Sequence, residues 1–218
     1  MALDFYYGSG SPYAWRVWLA LEHKAVPYAL KMVSFDKREH HAPEFLAMNP
    51  RHRVPVIKDD GFALYESAAI LEYLDERFAS ATPEKALFPK QPQARAVVRR
   101  LVREADQYVA TALEHLVEKV LFTPKDRQDA TAIKAAADAL AEELGFFERA
   151  LGGDYLAGAL SAADLTLYPM VALALRMEKR NPALGLDLGA RLGPKLGAWS
   201  KRVEALPYFD KTYPPHWR

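Results

Sequence analysis

The hydrophobic spacing of this 218-residue chain changes character once, close to Ala79, and that change limits its architecture more than any other feature. Before it, short alternating or apolar runs at residues 3–7, 28–33, 54–58 and 62–65 are interleaved with helical spacing at 12–21 and 66–78. The last two runs flank Asp59-Asp60-Gly61, a hairpin signal. This order predicts an α/β domain over residues 1–79, built on a mixed four-stranded sheet. Pro83, Pro89 and Pro92 then interrupt any period over residues 80–92, which read as a linker. Residues 93–218 carry only helical spacing and predict an all-helical second domain. Its helices are expected over 93–122, over 126–151 and from Ser161 onward, with weaker signals after Gly193.

Two helix starts are well specified. In Tyr7-Gly8-Ser9-Gly10-Ser11-Pro12, the glycines end a strand, Pro12 suits the first helical position, and Ser11 becomes the N-cap. Its hydroxyl therefore lies at the positive end of a helix dipole, where an anion is favoured. Ser161 and Asp164 have the spacing of a capping box, with Leu160 and Leu165 as its apolar staple. The second start reads as structural. Pro169, inside the same helix, removes one backbone hydrogen bond.

The totals exclude several kinds of chemistry. Without a cysteine, the chain offers no disulfide, no thiolate metal site and no thiol nucleophile of its own. Any sulfur chemistry must use a ligand's sulfur. A net charge of +1 gives no global field toward nucleic acid or an anionic membrane. The N-terminal residues enter a strand pattern without a basic region and apolar run, and no apolar stretch nears the roughly 20 residues of a membrane span. A soluble cytoplasmic protein is expected, with no nucleic acid, membrane or metal ion among its partners. His40, His41 and His52 lie among charged residues and lack metal-site spacing.

Three segments of the first domain suit a small thiol peptide. Glu66-Ser67 opens a helix, so backbone amides and the Ser67 hydroxyl can hold a carboxylate while Glu66 accepts from an ammonium group. Val54 precedes Pro55 at a strand start, where its backbone can pair with an extended peptide. The Ser11 turn supplies the third.

Together Ser11-Pro12-Tyr13-Ala14-Trp15-Arg16-Val17, Asn49-Pro50, Arg53-Val54-Pro55-Val56, the run from Tyr65-Glu66-Ser67 to Leu74, and Ser161-Ala162-Ala163-Asp164 resemble the glutathione transferases across almost the whole chain. The resemblance implies a thioredoxin-like N-terminal domain that binds glutathione as co-substrate. It also implies an all-helical domain for a small hydrophobic electrophile, and a homodimer. By matching positions, Ser11 is similar to the hydroxyl that stabilises the glutathione thiolate in serine-type members. Val54 with a cis Pro55 would hold the cysteinyl backbone, and Glu66 with Ser67 the γ-glutamyl head. His40 and His41 would face the glycyl carboxylate. Arg53 stands where the family often has glutamine and can still donate to a carboxylate.

Other hydroxyls near Ser11 compete for the role. Ser9 is close by, and alternation turns only one of Tyr6 and Tyr7 inward, with core packing its expected use. Tyr13, Tyr108 and His115 are expected around the electrophile. A non-catalytic binding module on the same fold, or a glutathione-dependent isomerase, dehalogenase or peroxidase, are the alternatives.

Overall fold

The computed structural model describes residues 3–79 and 83–218, so residues 80–82 of the expected linker lie outside the described residues. The chain divides into two compact units, Met1–Lys90 with Leu206–Arg218, and Gln91–Ala205. The C-terminal residues thus group with the first unit and not with the helices that precede them.

The first unit begins with β1 (Leu3–Tyr7), α1 (Pro12–His23) and β2 (Tyr28–Met32). A short helix α2 (Pro43–Leu46) leads to the hairpin of β3 (Val56–Asp59) and β4 (Phe62–Tyr65), and α3 (Ser67–Arg77) follows. The sheet order is β2-β1-β3-β4, with β1 parallel to β2 and both other pairings antiparallel. The hairpin turns on Asp60 (φ 48°) and Gly61 (φ 89°). Two successive positive φ values match the twist of the flanking strands, which is why Asp-Gly serves there.

Alternation in β1 buries Leu3, Phe5 and Tyr7 on one face. The Tyr7 ring lies 4.9 Å from Trp18 and 5.9 Å from Phe5, so its inward position is a core position, as its alternation predicts. Helix α1 buries every residue from Ala14 to Leu21, and α3 adds Ile70, Leu71 and Leu74. Burying each such large side chain is worth about 1.5–3 kcal/mol.

In the second unit α4 (Pro92–Glu104), a π-helical turn (Ala105–Val109), α5 (Ala110–Val117) and a second π turn (Glu118–Phe122) form one unbroken helical run. It covers the single helix expected at 93–122. Helix α6 (Ala130–Ala150) starts later than its apolar period. The Asp129 carboxylate accepts from Thr131 N at 2.8 Å and Ala132 N at 3.2 Å and so fixes the start, while Lys125–Arg127 is a separate 3-10 turn. Helix α7 (Ala162–Arg180) continues through Pro169 and packs against α4, and α8 (Leu188–Arg191) and α9 (Pro194–Glu204) complete the unit. Helix α10 (Phe209–Thr212) belongs to the first unit. Among the described residues, no helix is long and apolar enough to cross a membrane.

Candidate active site

The turn from β1 into α1 is closed by Ser11 N–H donating to Gly8 O at 3.1 Å. Ser11 is the N-cap (φ −70°, ψ 120°), and Pro12 follows at the first helical position. Its Oγ accepts from Ala14 N–H at 3.3 Å, leaving its own proton to donate. No acidic residue sits in the first turn of α1, so nothing opposes the positive end of the dipole. The half-buried Ser11 hydroxyl is thus placed to donate to an anion. The loop passes close to its neighbours at Gly8, where a Cβ would lie 2.5 Å from the exposed Phe35 ring and 3.1 Å from Val54 Cγ2.

The Val54–Pro55 bond is cis. Val54 precedes the first β3 residue in the ladder, Val56, which pairs with Tyr6 of β1. Buried Asn49 shapes the approach to it, donating from Nδ2 to Arg53 O at 2.7 Å and accepting from Arg51 N at 3.0 Å. The Arg53 side chain is exposed on this loop.

Glu66 has φ 69° and ψ 101°, a conformation that a residue with a side chain adopts at a cost of about 1–3 kcal/mol. Such strain is concentrated at functional positions. The residue is exposed, so its carboxylate is available to an ammonium group. Ser67 opens α3 and is buried, and α3, like α1, has no acid in its first turn.

Arg16, which no local motif marks as a site residue, joins the two helix starts. It is 3% exposed on α1, its guanidinium donates from Nη2 to Ser67 Oγ, and its Cζ lies 5.5 Å from the Tyr13 ring centroid. Ser67 therefore accepts from a cation and keeps its own proton to donate. One arginine joins the start of α3 to the helix that Ser11 caps, along roughly 7 Å of helix axis between Ser11 and Arg16. The sequence signal for it was a single charged residue inside the buried stretch from Ala14 to Leu21.

His40 and His41 close the 3-10 turn Glu39–His41, and His52 joins them. Ring centroids are 4.2 Å apart for His40 and His41, and 4.6 Å apart for His41 and His52, the latter pair stacked at 27°. Desolvation, then the neighbouring charges of His52 and Arg38, hold the His40 pKa below its ordinary value. Desolvation, then His40, His52 and Arg38, do the same at His41. Among the described residues, no three His, Cys, Asp or Glu side chains are grouped to hold a metal ion.

Ser11, Arg53, Val54, Pro55, Glu66, Ser67, His40 and His41 therefore all lie in the first unit, together with half-buried Tyr13. Tyr108 and His115 lie on the second. Tyr108 lines a cavity of about 420 Å³ with Leu101, Glu104, Phe146 and Phe147, whereas exposed His115 on α5 does not line it.

Comparison with known proteins agrees with both units. The profile of the glutathione S-transferase N-terminal domain matches residues 10–77, and that of the C-terminal domain matches residues 110–207. Glutathione S-transferase A of Pleuronectes platessa is 30% identical over 97% of this chain and 91% of its own length. A glutathione S-transferase structure from the Antarctic clam Laternula elliptica superposes with a TM-score of 0.79 at 31% identity, covering 100% of this chain and 94% of that one. Poplar glutathione transferase F1 superposes at 0.82 with 28% identity, covering 97% of this chain and 96% of that one. With identity at this level running through both units, the chain belongs to the glutathione S-transferase family.

Proposed function

We propose that this chain is a glutathione transferase that stabilises the glutathione thiolate at Ser11 for attack on a small hydrophobic electrophile. The observation that carries the reading is the Ser11 hydroxyl. It caps an unopposed helix dipole, accepts from Ala14 N–H and retains a proton to donate. Around it, Val54 before cis-Pro55 suits the cysteinyl backbone, and Glu66 with Ser67 suits the amino and carboxylate groups of the γ-glutamyl head. His40, His41 and Arg53 suit the glycyl carboxylate.

A free thiol with a pKa of about 8.5 is only a few per cent ionised at neutral pH. Lowering it by about two units takes roughly 2.7 kcal/mol of preference for the thiolate. A hydroxyl hydrogen bond to a charged acceptor, worth about 1.5–3 kcal/mol, and a helix N-terminus supply that magnitude. The thiol proton leaves to solvent, the sulfur lone pair forms the new bond to carbon, and the electrophile's leaving group departs with its bonding pair. No protein nucleophile takes part, and Ser11 stabilises without attacking. Tyr13, Tyr108 and His115 remain the candidates for contact with the electrophile.

A homodimer is part of this reading. Phe62 is 51% exposed on edge strand β4, apolar surface of the kind a second copy covers. Detoxification in the cytoplasm is the setting it implies. Conjugation of glutathione to chlorodinitrobenzene, followed in wild type and Ser11→Ala, tests the reading. Glutathione-dependent turnover that the substitution lowers at least about tenfold is expected, and turnover indifferent to Ser11 contradicts it.

A further inference from the structure

The C-terminal segment of the first unit is fastened to α1 at several points. Tyr208 OH and His23 Nδ1 are 2.8 Å apart, and Lys211 Nζ pairs with Glu22 at 2.7 Å. Trp15 Nε1 donates to the buried Thr212 Oγ1 at 3.1 Å. The Trp15 ring lies 5.9 Å from Phe209, 5.7 Å from Tyr213 and 5.4 Å from Trp217. Pro214 and Pro215 then lead into the 3-10 turn Pro215–Trp217.

That turn ends on the loop that presents Ser11. His216 Nδ1 lies 2.6 Å from Ser9 Oγ. A Cβ on Gly10 (φ 80°) would lie 2.6 Å from His216 Cε1 and 2.9 Å from Trp217 Nε1. Gly10 is therefore glycine for two reasons, its backbone conformation and the seat of this tail. Aromatic packing on Trp15 would hold the tail without His216, which is itself exposed. The imidazole adds a polar tie to the residue two positions before the thiol-stabilising hydroxyl.

We propose that His216 is a positioning residue for the thiol loop, fixing Ser9 and Gly10 so that the Ser11 hydroxyl is held ready for the sulfur. The inference rests on the glutathione reading of Ser11. Whichever nitrogen carries the imidazole proton, the bond removes a rotational freedom of Ser9. With the proton on Nδ1, it also leaves the Ser9 proton for a second acceptor.

The test compares wild type, Ser9→Ala, His216→Ala, His216→Asn and the double alanine variant. Bound glutathione is titrated by thiolate ultraviolet absorption, and kcat and KM for glutathione are measured separately. Asparagine can keep a hydrogen bond at the Nδ1 position but cannot carry a charge. Each single alanine variant is expected to raise the bound thiol pKa by about half a unit to one unit and to lower kcat about three- to tenfold, more than it raises KM. The double variant is expected to be no worse than the poorer single, because both remove one bond. His216→Asn is expected within about twofold of wild type. Alanine variants with wild-type pKa and kcat, or an asparagine variant as impaired as alanine, overturn the inference. Thermal unfolding of each variant shows that the fold is retained, and His216 is exposed, so its removal leaves the core intact. If wild type itself forms no thiolate with glutathione, the glutathione reading fails. A wild-type thiolate unmoved in the variants removes the role of His216 alone.

Discussion

Two serines cap helices in this chain, and they differ in what their hydroxyls have left to give. At α7, Ser161 is 3% exposed and its N–H and Oγ both meet Asp164 Oδ2, at 2.9 and 3.0 Å. The other Asp164 oxygen accepts from Leu156 N and Trp199 Nε1, each at 2.9 Å. Every partner is internal, and burial pushes the Asp164 carboxyl pKa up against those four donors. At α1, Ser11 is half-buried, makes the cap bond to Ala14 N, and has no acid in the first turn to answer it. A satisfied cap holds a fold together, whereas a cap with a proton to spare can hold a ligand.

The sharpest way to break the contrast is to exchange the effects of the two sites. Asp164→Ala strands the buried Trp199, Leu156 and Ser161 donors, and should lower unfolding stability by about 3–5 kcal/mol in chemical denaturation. The fraction that remains folded should keep the wild-type thiol pKa. Ser11→Ala should lower kcat/KM for glutathione by about 10- to 100-fold, while losing only the about 0.5–2 kcal/mol of stability that an N-cap supplies. A large stability loss in Ser11→Ala would make it a second Ser161.

Arg16 sharpens the comparison, because it ties the start of α3 to α1. Arg16→Met keeps the buried volume and removes the donor to Ser67. It should raise KM for glutathione about 5- to 20-fold in steady-state kinetics while changing kcat less.

The smallest effect lies at the histidine cluster. His40 and His41 titrate below their ordinary value of 6.5, so both are neutral at pH 7 and gain charge only as pH falls further. An anion they face should bind more tightly on acidification, the opposite of a carboxylate-held site. S-methylglutathione, which has no ionisable thiol, should gain about two- to fivefold in affinity by calorimetry between about pH 7.5 and about pH 5.5. That gain should vanish in His40→Gln/His41→Gln.

Local chemistry explains what the sequence disclosed. The Asp60-Gly61 turn, the Ser11-Pro12 start and the Ser161–Asp164 box are decided within four residues, so each is visible from its own neighbours. The cis bond before Pro55 needed the family resemblance, because trans is the usual state of a Val-Pro bond. What stayed hidden depends on distant partners. Arg16 meets Ser67 across 51 positions, and Ser9 meets His216 across 207. The C-terminal residues read as part of the helical region, yet Trp15 gathers Phe209, Tyr213 and Trp217 into the first unit. The π turns at Ala105–Val109 and Glu118–Phe122 left the apolar period of their helix intact, so that period could not reveal them.

The central claim is that the Ser11 proton is reserved for a sulfur anion. Ultraviolet titration of glutathione bound to wild type and to Ser11→Ala measures it directly. Wild type should ionise the bound thiol about one to two units below the free value of about 8.5, and Ser11→Ala should return it most of the way. An equally depressed thiol pKa in Ser11→Ala would contradict the account.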